Sequence, residues 1–233
     1  LIKKGAQEKQ KMLAERKTGK ASAGNASKTG RNSRGQIIEA AARLFSEKGF
    51  SGATTKEIAR AVGMSEANIF RYFANKDALY AAVFEEKGKG LNTGATLEKL
   101  RRLVAAGDDG AVFRELMRAV LKHYRRNRDL IRIIMSGTLE GSEIARNFAA
   151  AQLLPVREFL TQYIEERRRA GVFRQCNVKA TVRALLAMPS QHAMISELFG
   201  IEGYEVSDAE AIDTFASAAL AALGVSGRDK IKR

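Results

Sequence analysis

Four polar side chains lie within one short stretch of the chain: Lys56, Asn68, Arg71 and Tyr72. Lys and Arg neutralise phosphates, and the Arg fork also fits the O6 and N7 edge of guanine. An Asn amide can pair with two atoms of adenine or bridge to a backbone, and a phenol can donate its hydrogen to a phosphate. Thr54, Thr55 and Ser65 stand where helices should begin, and a helix start offers free amides to an anion. The chemistry open to this set is recognition of a polyanion. Covalent chemistry is not expected, because the sequence lacks a Gly-rich phosphate loop, CxxC, HExxH and GxSxG. His123, His192 and Cys176 are the only His and Cys and do not suggest a catalytic set. The two His are also too far apart to suggest a metal site, so no enzyme, metal or cofactor is expected.

Those side chains need short, closely packed helices to present them. A first helix is predicted from Ser33, with Ile37, Ile38, Ala41, Leu44 and Phe45 on one face, ended by Gly49 as a left-handed C-cap. Phe50 then folds back toward the same core. A second helix opens with Thr54-Thr55-Lys56-Glu57, in which Thr54 and Glu57 can form a reciprocal capping box. Ile58, Ala59 and Val62 form its inner face, and Gly63 stops it. Ser65 caps a third helix, Glu66–Phe73, whose Ile69 and Phe73 point inward. Ala59 is small where the two helices approach, Gly63 permits the reversal, and Ile69 plugs the seam. Glu66, Asn68, Phe70, Arg71 and Tyr72 are left on the outer side of a helix that fits a major groove ~12 Å wide. A fourth helix starts at Lys76.

This stretch resembles the TetR/AcrR family of bacterial regulators. The resemblance is carried by Ile37-Ile38-Glu39-Ala40-Ala41, Leu44-Phe45, Gly49-Phe50, Thr54-Thr55, Ile58-Ala59, Val62-Gly63-Met64-Ser65, Asn68 through Phe73, and Lys76-Asp77-Ala78-Leu79. It implies an all-α fold of nine to ten helices. An N-terminal helix-turn-helix domain would precede a larger C-terminal ligand-binding and dimerisation domain. It also implies a homodimer on an inverted-repeat operator of double-stranded DNA, with Thr54, Thr55, Lys56, Ser65, Glu66, Asn68, Phe70, Arg71, Tyr72 and Lys76 at the DNA. Phe70 stands where the family usually has Tyr, which exchanges a phosphate bond for contact with a thymine methyl. Glu66 stands where neutral or basic residues are common. It repels phosphate unless it accepts from cytosine N4; its other reading is a first-turn acid that favours the helix dipole.

The rest of the chain sets the context. The net charge is +14, and ten basic residues against two acids within positions 1–34 supply more than half of it. Positions 1–32 are too poor in large apolar residues to offset their ordering entropy and are expected to be a disordered basic tail, as are 226–233. Between them lie a helix-turn-helix domain, 33–80, and a helical body, 81–225. Helices are predicted near 95–106, 110–126, 128–140, 142–170 with a break at Pro155, 177–200 and 207–223. No apolar leader and no run of about 18 apolar residues is present, so a cytoplasmic protein that does not engage membrane is expected.

By the resemblance, the body would hold a largely apolar small-molecule inducer. Phe113, Met117, Val120, Tyr124, Met135, Phe148 and Tyr163 are the candidate lining. Phe159, Leu160, Leu185, Met188 and Ile195 are candidates for the dimer interface. A DNA-binding structural or adaptor protein of the same fold, without an inducer, is the alternative.

Overall fold

The computed structural model describes residues 33–201, 203 and 206–225. The expected basic tails, 1–32 and 226–233, lie outside these residues. The described residues form α-helices and turns, with no strand among them. The chain divides into two compact units, one ending at Val83 and the other beginning at Phe84.

In the first unit, α1 (33–52) buries Ile37, Ile38, Ala41 and Phe45 along one face. Gly49 holds φ 72, as its C-cap role requires, but a last helical turn runs on to 52 rather than ending there. That turn carries the Phe50 ring to 4.7 Å from Tyr80, which also meets Phe45 edge-on at 4.9 Å. Two short helices follow, α2 (Thr55–Ala61) and α3 (Glu66–Tyr72). Next comes α4 (Lys76–Lys89), which belongs to this unit as far as Val83 and whose start is capped by the Asn75 side chain accepting from the Ala78 amide at 2.8 Å. Leu79, Tyr80 and Val83 of α4 are buried. Each such side chain contributes about 1.5–3 kcal/mol on leaving water. Short helices like α2 and α3 are marginal alone, so this packing is what keeps them formed.

The second unit contains α5 (Thr93–Ala105), α6 (Asp109–Arg126), α7 (Arg128–Leu139), α8 (Glu143–Arg169), α9 (Val178–Met194) and α10 (Asp208–Ala222). The central helix is α6, which packs on α5, α9 and α10, while α8 packs on α7 and α9. The α6 ridge of Val112, Phe113, Leu116, Met117 and Leu121 is buried. Around it lie Leu160, Tyr163 and Ile164 of α8, Val182 and Leu185 of α9, and Ala216 and Ala219 of α10.

Two expectations for this unit are corrected. The helix expected to break at Pro155 is continuous, with Pro155 inside it. Proline removes one amide donor and displaces the carbonyl four residues back. That carbonyl belongs to Ala151, which is exposed, so water reaches it at little cost. The next helix, expected to reach 200, changes at Ile195 into a wider π-helical turn, Ile195–Phe199, which Gly200 closes at φ 60. No helix among the described residues is long and apolar enough to cross a membrane.

Candidate nucleic-acid interface

The seam between α2 and α3 is built as the residue types require. Ala59 is buried on α2, and Ile69 of α3 is 1% exposed. The Met64 amide donates to the Ala59 carbonyl at 2.9 Å and the Gly63 amide to Arg60 at 3.2 Å, closing the turn. Gly63 holds φ 68. Open space surrounds the position a Cβ would take there, so backbone conformation alone demands glycine.

Both helix starts are capped as expected. The Thr54 hydroxyl accepts from the Glu57 amide at 3.2 Å, and Glu57 accepts from the Thr54 amide at 3.0 Å. Lys48 of α1 donates to Glu57 at 2.7 Å. The Lys48 bond first, then those from Thr54, hold the Glu57 carboxyl down at about 2. The Ser65 hydroxyl accepts from the Asn68 amide at 3.3 Å. The first turns of α2 and α3 are joined by the Thr55 hydroxyl, which donates to Glu66 Oε1.

Nine of the ten predicted contact residues fall on this pair of helices or cap them, and Lys76 opens α4. Thr54, Lys56, Ser65, Glu66, Phe70 and Arg71 are exposed, while Thr55, Asn68, Tyr72 and Lys76 are partly covered. Three of the cationic and phenolic groups are less free than their types suggest. The Arg71 guanidinium lies 5.5 Å from the Tyr72 ring centre, and Lys76 Nζ lies 4.4 Å from that of Phe50. Hydrogen bonds from Arg71 and then Ser33 pull the Tyr72 phenol below its ordinary range. Arg34 covers the Phe73 ring at 5.2 Å, so the start of α1 adjoins the end of α3. Ala67, exposed between Glu66 and Asn68, is not among the ten. Its place three residues before Phe70 puts it on the same helical face, a signal legible in the spacing.

The candidate lining of an inducer site does not form one open surface. Phe113 and Met117 are 0% exposed and belong, with Tyr163, to the interior core. Val120 and Tyr124 pack against that core from its edge. Met135 is half-buried on α7, and Phe148 stacks on Phe84 at 4.7 Å. A cavity of about 270 Å³ lies elsewhere, lined by Glu165, Arg168, Arg169 and Gln175 at the end of α8. The interface candidates divide similarly. Leu160 and Leu185 face inward and are buried, so they offer nothing to a partner. Phe159, Met188 and Ile195 are half-buried. The sequence pattern could not separate these groups, because α8 and α9 are apolar on more than one side.

The family model for bacterial regulatory proteins of the tetR family matches residues 37–83, the helices just described. A second model, the C-terminal domain of AefR-like transcriptional repressors, matches residues 111–225. Together the two span well over half of the chain. The protein belongs to the TetR family. It is therefore a DNA-binding transcriptional regulator and not an enzyme. Among its relatives is YttP of Bacillus subtilis, described as a probable HTH-type transcriptional regulator. It is 26% identical over 73% of this chain and 83% of its own length. The repressor AcnR of Corynebacterium efficiens is 42% identical, over 24% of this chain and 29% of its own. Among solved structures, the TetR-family regulator PfmR of Thermus thermophilus superposes with TM-score 0.60 at 24% identity. It covers 80% of this chain and 98% of that one. AibR, solved with isovaleryl coenzyme A and operator DNA, superposes with TM-score 0.59 at 21% identity, covering 80% and 97%.

Proposed function

We propose that this TetR-family regulator is a repressor that binds an inverted-repeat operator as a homodimer and leaves it when a small, largely apolar molecule binds the second unit. The observation that carries the DNA contact is the seating of α3. Ile69 is buried in the α2 seam while Glu66, Ala67, Phe70 and Arg71 are exposed along the opposite side. A helix held this way is free to enter a major groove along its outer face. Ser65, Thr54 and Thr55 mark the helix starts whose amides suit phosphates. Repression is supported by the named repressors among the relatives.

The dimer is read as pairing through α8 and α9. Leu153 and Leu154 on α8 are about half exposed, and Phe159, Met188 and Ile195 are partly so. An apolar moiety in the ligand is read from AibR, a structural neighbour solved with isovaleryl coenzyme A, whose branched acyl group is apolar. The ligand would act by population shift, favouring a conformation whose two recognition helices no longer match the ~34–36 Å of one DNA turn.

The test is selection of bound DNA from a random pool by the full chain, followed by titration of a small-molecule panel against the selected duplex. An inverted repeat, with release by at least one compound, is expected. Enrichment of single half-sites would remove the dimer, and indifference to every ligand would leave the adaptor reading in its place.

A further inference from the structure

An acid on a DNA-facing helix needs a reason, because it is repelled by the phosphates that flank the groove. Glu66 is such an acid: it is exposed and is the first residue of α3. Its Oε1 accepts the Thr55 hydroxyl hydrogen from the first turn of α2. That bond aims the carboxylate instead of leaving it to rotate toward solvent. It also commits the only hydrogen that the Thr55 side chain could give to a phosphate. A carboxylate has about four acceptor positions, so Thr55 leaves most of them available.

A pure acceptor can take a hydrogen from only two major-groove groups, cytosine N4 and adenine N6. At an A·T pair the amino group sits between two acceptors, adenine N7 and thymine O4, and both repel a carboxylate. At a C·G pair it has only guanine O6 beside it, and the cytosine C5–H lies on its other side. Cytosine is therefore the base that repels Glu66 least while meeting its need for a donor.

Phe70 lies four residues further on, so it adjoins Glu66 on the helix surface at about 6 Å, the rise of roughly two base pairs. It is 46% exposed, although a phenyl ring gains nothing from water. The major-groove feature that matches an apolar ring is the thymine methyl.

We propose that Glu66 and Phe70 together read a pyrimidine pair in each operator half-site, a cytosine at Glu66 with a thymine next to it or one base away on the same strand. Thr55 is the positioning residue for the carboxylate. This rests on the DNA-binding reading above and deepens it by naming the base chemistry.

The experiment repeats the random-pool selection with the full-length Glu66→Ala, Phe70→Ala, Thr55→Val and Thr55→Ser variants beside the unaltered chain. Glu66→Ala should lose the preference for cytosine at one position by about fivefold to a hundredfold, with the rest of the motif retained. Its binding to duplexes lacking that cytosine should hold or tighten, because a repulsion has gone. Phe70→Ala should relax the neighbouring thymine alone. Thr55→Val should blunt the cytosine preference and Thr55→Ser should restore it. A motif unchanged in Glu66→Ala, or one whose altered position is not a cytosine, overturns the proposal while the regulator reading stands. Failure of the unaltered chain to enrich any motif removes both.

Discussion

Tyr163 of α8 donates its phenol hydrogen to Asp109 Oδ1 at 2.6 Å, in the first turn of α6. Arg167 of the same helix donates to the other oxygen of that carboxylate. The three groups pin the start of the central helix to the end of the longest one. Burial first, and then the bond to Asp109, push the Tyr163 phenol above its ordinary range. A raised pKa contributes stability that is present below the unfolded value, about 10, and is lost as pH rises past it. Tyr163→Phe is therefore expected to lower stability by about 1–3 kcal/mol at neutral pH, since a carboxylate oxygen is left without its donor. It should also flatten the alkaline limb of the stability curve. Thermal melts between pH 7 and 11 check both. An alkaline limb as steep in the variant as in the parent would show that another group sets it.

Gly63→Ala tests the turn. The residue holds φ 68 with free space around it, so the added methyl meets strain rather than a clash. The left-handed conformation costs an L-residue roughly 1–2 kcal/mol. The expected outcome is a loss of that size in stability and a weaker hold on every DNA sequence alike, because α3 as a whole is reseated. Equilibrium denaturation and binding to a panel of duplexes measure it. A changed base preference at constant stability would mean that the turn adjusts locally instead.

How much of this is legible in the sequence follows from how local each feature is. The capping box of Thr54 and Glu57, the Ser65 cap and the Ala59–Gly63–Ile69 seam depend on residues within about ten positions of one another, so spacing alone finds them. The Thr55–Glu66 bond crosses between helices, and the pull of Phe50 on Lys76 crosses from α1 to α4; neither leaves a periodic trace. Leu160 and Leu185 resemble interface residues because they are large, apolar and on long helices. Which side of a helix faces its own core is settled by neighbours such as Phe113 and Val182, far away in sequence. Pro155 reads as a breaker because its ring costs a helix one hydrogen bond and crowds the carbonyl four residues back, a local penalty that the packing of this 27-residue helix on α7 and α9 outweighs.

Deleting residues 1–32 tests the role of the basic segment by charge alone. It removes nine basic and two acidic residues, half of the net +14. The described chain begins at Ser33, which bonds Tyr72 at the end of α3. The segment therefore joins the folded unit beside the proposed contact face. Each phosphate that is no longer neutralised should reduce the slope of log K against log salt by about 0.9. The expected result is a shallower slope and weaker binding at low salt, with the selected motif unchanged. An identical slope with and without the segment would show that these charges never reach the phosphates.

Arg125 sits in the last turn of α6 and ties two other elements together. Its Nε donates to Glu197 in the π-helical turn at 2.8 Å, and its two Nη groups meet the Asp208 carboxylate in α10 at 3.0 and 3.1 Å. Exposed ion pairs are individually worth about 0–1 kcal/mol, but a fork that engages two carboxylates at once fixes geometry more than a single pair does. Phe199, the last residue of the π-helical turn, and Ile201 just after it are about half exposed, so side-chain burial holds this end only weakly. Arg125→Ala is thus expected to cost about 1 kcal/mol in global stability and to raise amide exchange selectively across 195–201. Arg125→Lys should not restore protection, because a single ammonium cannot hold both carboxylates in the same fork. Hydrogen-exchange measurements on the three proteins decide the matter. Uniform protection across 195–201 in all of them would mean that the turn is held by its backbone alone.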